Sequence, residues 1–389
     1  MINGQTGNAT AYQALNVPGQ PRGFGYKDPV TGLQVWKASS AGDPSSGTSF
    51  RHAYSEGGAY ASRLWNGDRY SVIAADMDSG GDLRVFDLVR GTGPTNYRAL
   101  PVSPEATDLG YSFSRNRAGD ARILYMLTAI GVQRVNTATN LVENTGNFPG
   151  PSTGVSGGSW FQGDVQDRRF VWMTGGSDVH VWDSQTNATL TRTFAGMDEP
   201  YLESDGRYVF VNNGQANSTL WDVVNDTVQG VTFPSNVTPS HVASLRGMFV
   251  NSDVNTGGGL MPTFRLAATS NSWTQFTDWS GYAPDYHTCG NWDRTEAELG
   301  GDLTQQYVLY DDIHETFAAI GSSLRESIGL MRLDGGDKRL VAHHYSTNFS
   351  NYWHQPHGHI NPDGTLVIFA SDMLGSSRVD LFAVELPLR

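Results

Sequence analysis

Short runs of alternating apolar and polar residues, punctuated by turn formers, recur along the chain. In Arg63-Leu64-Trp65-Asn66-Gly67-Asp68-Arg69-Tyr70-Ser71-Val72-Ile73 an Asn-Gly pair separates two such runs, and Leu83-Arg84-Val85-Phe86-Asp87 follows as a third. Arg168-Arg169-Phe170-Val171-Trp172 with Val179-His180-Val181-Trp182-Asp183 repeats the pattern, as does Asp205-Gly206-Arg207-Tyr208-Val209-Phe210-Val211 with Thr219-Leu220-Trp221-Asp222. A last copy joins Asp363-Gly364-Thr365-Leu366-Val367-Ile368-Phe369 to Val379-Asp380-Leu381-Phe382-Ala383-Val384. Asn-Gly and Asp-Gly between alternating runs are strong hairpin signals, because these residues accept the positive φ of tight turns. The repeat spacing, roughly 40–50 residues, is that of four-stranded propeller blades.

The pattern predicts an all-β fold, a seven-bladed β-propeller forming one domain over 1–389, with blades at 51–100, 101–150, 151–196, 197–235, 236–280, 281–342 and 343–389. The last segment has three clear strands, so 33–37 near the N-terminus is expected to supply the fourth and close the ring, removing two exposed sheet edges. A β-sandwich or β-helix is the competing architecture; period and closure favour the ring. The sixth segment, with its excursion through Asp311, Asp312, His314 and Glu315, is the least regular. The Trp-Asp ends at 182–183 and 221–222 are read as structural punctuation.

Composition agrees with many short strands: 45 Gly, 11% aromatic and only 17% charged residues in 389. The net charge of −13 argues against nucleic acid or anionic membranes as partners, since both need basic patches. One cysteine, Cys289, permits no internal disulfide, and a buried inert thiol is its expected state. No apolar run is long enough to span a membrane, and Met1-Ile2-Asn3-Gly4-Gln5 lacks the basic and apolar regions of a signal peptide. A monomer is expected.

In a propeller, the loops entering the innermost strands line one mouth of the central channel. The polar residues at those positions are Arg51, His52 and Tyr54; Tyr111; Trp160; Glu199 and Tyr201; His241 and Arg246; Tyr286, His287 and Arg294; and His354, Gln355, His357 and His359. Five of the ten histidines lie between His343 and His359, and His52, His241 and His287 take equivalent places in other blades. If extended, His357 and His359 share one face, so with His287 they form a candidate site for a divalent metal, Gln355 or His354 being the fourth ligand. Hydrogen-bonded channel filling is the competing reading. His52, Tyr54 and His241 are proton-transfer candidates. Tyr111, Trp160, Tyr201 and Tyr286 are candidate sugar platforms. Asp311, Asp312 and Glu315 suggest a carboxylate pair or Ca²⁺ site, against the plainer expectation of a solvated acidic insertion.

The run His354-Gln355-Pro356-His357-Gly358-His359-Ile360-Asn361-Pro362-Asp363-Gly364, followed by Val367-Ile368-Phe369-Ala370-Ser371-Asp372, resembles the last blade of propeller-type polysaccharide lyases. The oligogalacturonate lyases are closest in character, with ulvan and rhamnose–glucuronate lyases as relatives. The resemblance covers about the last quarter of the chain. It implies a divalent metal (manganese, zinc, nickel or calcium) held by His287, His357 and His359. Where that family carries a Gln, three residues before the first His, this chain has His354, and Gln355 stands one residue later.

The implied reaction is β-elimination on a uronic-acid-containing oligo- or polysaccharide. His52, Tyr54 and His241 would move protons, and Arg51, Arg246 and Arg294 would neutralise the uronate carboxylate. A polymeric substrate implies a secreted or periplasmic protein; short oligouronides imply a cytoplasmic one. The alternatives are a non-catalytic glycan- or partner-binding propeller, and a glycoside hydrolase using a carboxylate pair such as Glu199 with Asp285.

Overall fold

A computed structural model describes residues 9–44, 47, 49–52, 54, 56–76, 82–107, 109–213, 218–233, 241–252, 262–278, 287–290, 292–311, 326–347 and 354–388. It contains seven antiparallel sheets, one for each expected segment, and the protein is a seven-bladed β-propeller. The innermost strands are Phe50–Arg51, Tyr111–Phe113, Ser159–Gly163, Glu199–Leu202, His241–Leu245, Thr288–Cys289 and His359–Ile360. Boundaries agree with the sequence expectation to within one residue at Phe50 and His343.

Burial follows position within a blade. Second strands such as Ile123–Thr128 and Leu366–Ser371 are buried throughout, because neighbouring blades cover both of their faces. Outer strands such as Ala188–Thr193 and Thr227–Gly230 are almost wholly exposed. The two Trp-Asp pairs are one device used twice. Trp182 and Trp221 are fully buried. Their indole N–H groups donate to Asn187 (3.1 Å) and Asp226 (3.0 Å), five residues on in each case. Asp183 and Asp222 accept the backbone N–H groups of the following turn and pair with Arg168 and Arg207.

Closure goes one strand beyond expectation. Gln34–Lys37 pairs with Asp380–Glu385 as the fourth strand of the last blade, and Gly25–Lys27 adds a fifth outside it. A short helix, Ala9–Leu15, precedes them and buries Tyr12 against Tyr26 and Tyr345. Lys37 locks this junction. Its buried ammonium donates to the carbonyls of Val17, Pro18 and Gln20, each at 3.0 Å, and lies 3.1 Å from Asp380.

Removing that cation leaves a buried carboxylate and three carbonyls with one donor fewer. Breaking one side of a buried pair costs about 3–5 kcal/mol. Lys37→Met is therefore expected to lower the unfolding free energy by about that much in urea titration. A loss below about 0.5 kcal/mol would show that the junction does not depend on the ammonium.

Candidate functional site

The site is built around an interruption in the innermost strand of the first blade. Phe50 and Arg51 pair with Asp76 and Ala75, and pairing resumes where Ile73 donates to the Tyr60 carbonyl (3.0 Å) and Ala61 bridges Val72. The chain between Arg51 and Tyr60 is far longer than the single residue between Ala75 and Ile73. The surplus is turned into the channel. Ala59 exchanges hydrogen bonds with the second blade, accepting from Phe113 N–H (2.7 Å) and donating to Ser112 Oγ (2.9 Å). Tyr54 reaches Trp160 of the third blade, His241 of the fifth and His357 of the seventh. Glu56 accepts from the Thr288 N–H of the sixth. Two glycines make the crossing sterically feasible. Gly57 has φ +113°, and a Cβ on Gly58 would stand 2.4 Å from the Tyr111 carbonyl oxygen.

Around Tyr54 three imidazoles converge. The Tyr54 hydroxyl lies 3.0 Å from Nδ1 of His241. The His241 and His287 ring centres are 4.4 Å apart, and those of His287 and His357 are 4.1 Å apart. His241 retains 14% side-chain exposure, whereas His287 and His357 are buried. Burial and the neighbouring His287 push the His241 pKa well below that of free imidazole, so it is neutral at pH 7. Glu56 Oε1 stands 3.4 Å from the same Nδ1. Asp311, fully buried at a strand end, accepts the backbone N–H groups of His287 (2.7 Å) and Gly358 (2.6 Å) and faces His287 Nδ1 at 3.3 Å. It ties the sixth blade to the seventh, contrary to the solvated role expected of it; Asp312, His314 and Glu315 lie outside the described residues.

His357 and His359 do not share a face. His357 has φ 45°, the left-handed region, and the strand begins only at His359. The alternation assumed for extended backbone therefore fails at His357. His359 turns toward the first blade, where Nε2 accepts the Tyr60 N–H (3.1 Å) and Nδ1 meets Cys289 Sγ (3.3 Å). Both of its nitrogens thus have partners. His354, half-buried, begins the turn that ends in His357, and its carbonyl accepts from Ser346 Oγ. Buried Gln355 Oε1 has no hydrogen-bond partner.

His52 is a clamp. Buried beside Arg51, its Nε2 meets the His357 carbonyl at 2.5 Å, and burial lowers its pKa to about 3. The Arg51 guanidinium, also buried, donates to the His52 carbonyl (3.1 Å). Arg246 and Arg294 follow the ends of their innermost strands, at the opposite mouth. Five residue steps from His241 to Arg246 correspond to roughly 16 Å. Arg246 pairs there with Asp205 (2.6 Å), and Arg294 donates to the carbonyls of Gln305 and Glu298. Tyr111 and Tyr201 are fully buried, packed on Tyr60 and Trp160 respectively; Trp160 sits in a strand bulge with φ 54° and meets Tyr54 edge-on. Tyr286 and Asp285 lie outside the described residues. Glu199, at the start of the fourth blade's inner strand, has its pKa pushed well above the ordinary carboxylate value by burial, with Asp198 and Glu56 adding to the rise.

Sequence reasoning missed Glu56 and the inserted segment. The Glu56-Gly57-Gly58 run was their one visible signal, a pair of glycines where an innermost strand should continue.

No protein-family profile and no curated protein matches the chain. Solved structures do. An oligogalacturonate lyase in complex with manganese superposes with a TM-score of 0.63 at 15% identity, covering 95% of this chain and 97% of that one. The oligogalacturonate lyase of Vibrio parahaemolyticus gives 0.62 at 11% identity, with 94% and 96% coverage. The WD40 repeats of RRP9 give 0.50 at 9% identity, with 87% and 94% coverage. These likenesses establish the fold.

Gly58→Ala is expected to unseat the crossing segment, because the new methyl meets backbone atoms that cannot rotate away. Faster amide exchange at Ala59 and Phe113 would report it; unchanged protection would show that the segment adapts. A second expectation concerns acid. His52 binds its proton more weakly when folded than at its ordinary value of 6.5, so its contribution to stability is complete above pH 6.5 and declines toward pH 3. His52→Gln should flatten this decline, which for one such group is at most about 1.4 kcal/mol per pH unit. Parallel urea curves for both proteins at pH 7 and pH 4 would reveal it, and equal losses would contradict it.

Proposed function

We propose that the protein is a lyase that cleaves a uronic-acid-containing oligo- or polysaccharide by β-elimination at the mouth where Tyr54, His241, His287 and His357 meet. The observation that carries this reading is the Tyr54 hydroxyl on His241 Nδ1, with two further imidazoles packed behind it. The likeness to oligogalacturonate lyases, one of them a manganese complex, supports the choice of reaction.

Elimination breaks the C5–H bond of the uronate, turns that electron pair into the C4–C5 double bond, and expels the C4 oxygen, which takes up a proton. A neutral imidazole suits the first event, and burial holds His241 neutral. The Tyr54 hydroxyl, a phenolic O–H donor, suits the last. Trp160 holds the Tyr54 ring in place by edge contact.

Among the described residues, no three His, Cys, Asp or Glu side chains stand ready around one point as a metal site. Donor chemistry nonetheless fits a divalent ion at His287 and His357. The two rings are adjacent, Asp311 faces Nδ1 of His287 as carboxylates behind metal-bound histidines do, and Gln355 supplies a buried oxygen without a partner. His359 does not fit, since its nitrogens are occupied elsewhere. A bound divalent cation would supply positive charge to the uronate carboxylate and so acidify C5.

A binding-only propeller is the second reading, since WD40 repeats share the architecture. Incubation with pectin fragments, ulvan, glucuronan and gum arabic, with and without chelator, separates the two. A rise in ultraviolet absorbance from the unsaturated uronate is expected. His241→Ala should cut its rate roughly 10²- to 10⁴-fold, and His357→Ala should act as chelator does. New reducing ends without absorbance would mean hydrolysis, and neither signal would leave binding alone.

A further inference from the structure

We propose that Glu56 is a positioning residue that fixes the tautomer of His241, placing its proton on Nδ1 and making Nε2 the basic nitrogen. Glu56 is buried in the channel-crossing segment, and its Oε1 accepts the Thr288 N–H at 3.2 Å. The same oxygen faces His241 Nδ1 at 3.4 Å, and the Tyr54 hydroxyl approaches that nitrogen at 3.0 Å. Glu56 Oε1 already accepts the Thr288 N–H and so acts as an acceptor here, and a lone pair on Nδ1 would face a lone pair on Oε1. Repulsion is relieved when Nδ1 carries the proton and shares it between Glu56 and the Tyr54 oxygen.

Two consequences follow from this one carboxylate. Nε2 of His241 becomes the nitrogen that carries the lone pair. The Tyr54 hydroxyl, in turn, acts as acceptor toward Nδ1 rather than as donor to it. The arrangement depends on backbone as well as charge, since Glu56 reaches the fifth and sixth blades only because Gly57 and Gly58 let the segment cross. The tautomer assignment stands by itself; its value to catalysis rests on the lyase reading.

The test is ¹⁵N nuclear magnetic resonance of the full chain with labelled histidine, His241 being assigned by its loss in His241→Gln. The wild type is expected to show the Nδ1–H pattern for His241 at neutral pH. Glu56→Gln should move it toward Nε2–H or a mixture, and Glu56→Asp should restore it in part. An Nε2–H pattern in the wild type, or an unchanged one in Glu56→Gln, would overturn the proposal. Should Glu56→Gln fail to fold, the wild-type pattern alone decides. In a lyase assay, Glu56→Gln should lower kcat roughly 10²- to 10⁴-fold while KM changes less than about threefold. A tautomer shift without any lyase activity in the wild type would retain the positioning role and reject the lyase reading. Activity with an unaffected tautomer would do the reverse.

Discussion

Seven blades arranged in a ring surround a channel along the axis, and protein packed into it gains contacts that a void would deny its lining. Here the filling comes from the chain between Arg51 and Tyr60, which leaves its own blade and touches the second, third, fifth, sixth and seventh. The other features of the candidate site depend on this crossing. It brings Tyr54 to the three imidazoles, buries Glu56 against His241, and sets His52 on the carbonyl that holds His357 in its left-handed turn. The backbone density at Gly58 explains why the crossing has one register: side chains larger than hydrogen have no room there.

The two mouths of the channel are electrostatically distinct. At one, three imidazoles gather around Tyr54, and burial lowers the pKa of His241 and of His52 and raises that of Glu199. At the other, arginines are neutralised by paired carboxylates. Arg115 is buried against Asp293 and Ser204, Arg117 meets Glu298, and Arg246 meets Asp205. Arg115 alone of the three is deeply buried, and a buried charge persists only when paired, so it is committed to holding blades together. The histidine that meets Tyr54 lies at the other mouth, where burial lowers its pKa.

The separation explains which parts of the site were legible. His241, His287 and His357 were found because each lies close to the start of an innermost strand, a position set by the repeat. Arg246 and Arg294 were grouped with them by proximity in sequence, but each lies beyond the end of its innermost strand, on the side where Arg246 pairs with Asp205. His359 was paired with His357 by assuming extended backbone, and the φ of His357 breaks that assumption. Tyr111 and Tyr201 looked like sugar platforms and are buried packing residues, a distinction that burial alone makes.

What the sequence determined by itself was the number of blades, their boundaries and the closure by an N-terminal strand. These rest on local signals, since alternation, turn residues and period are all written within a few tens of residues. What only the tertiary structure decided was the content of the channel. Glu56 and His241 are far apart in the chain and 3.4 Å apart in space, and nothing local to either announces the other. Their meeting requires the ring to close and the inserted segment to cross it, and that is a property of packing across blades.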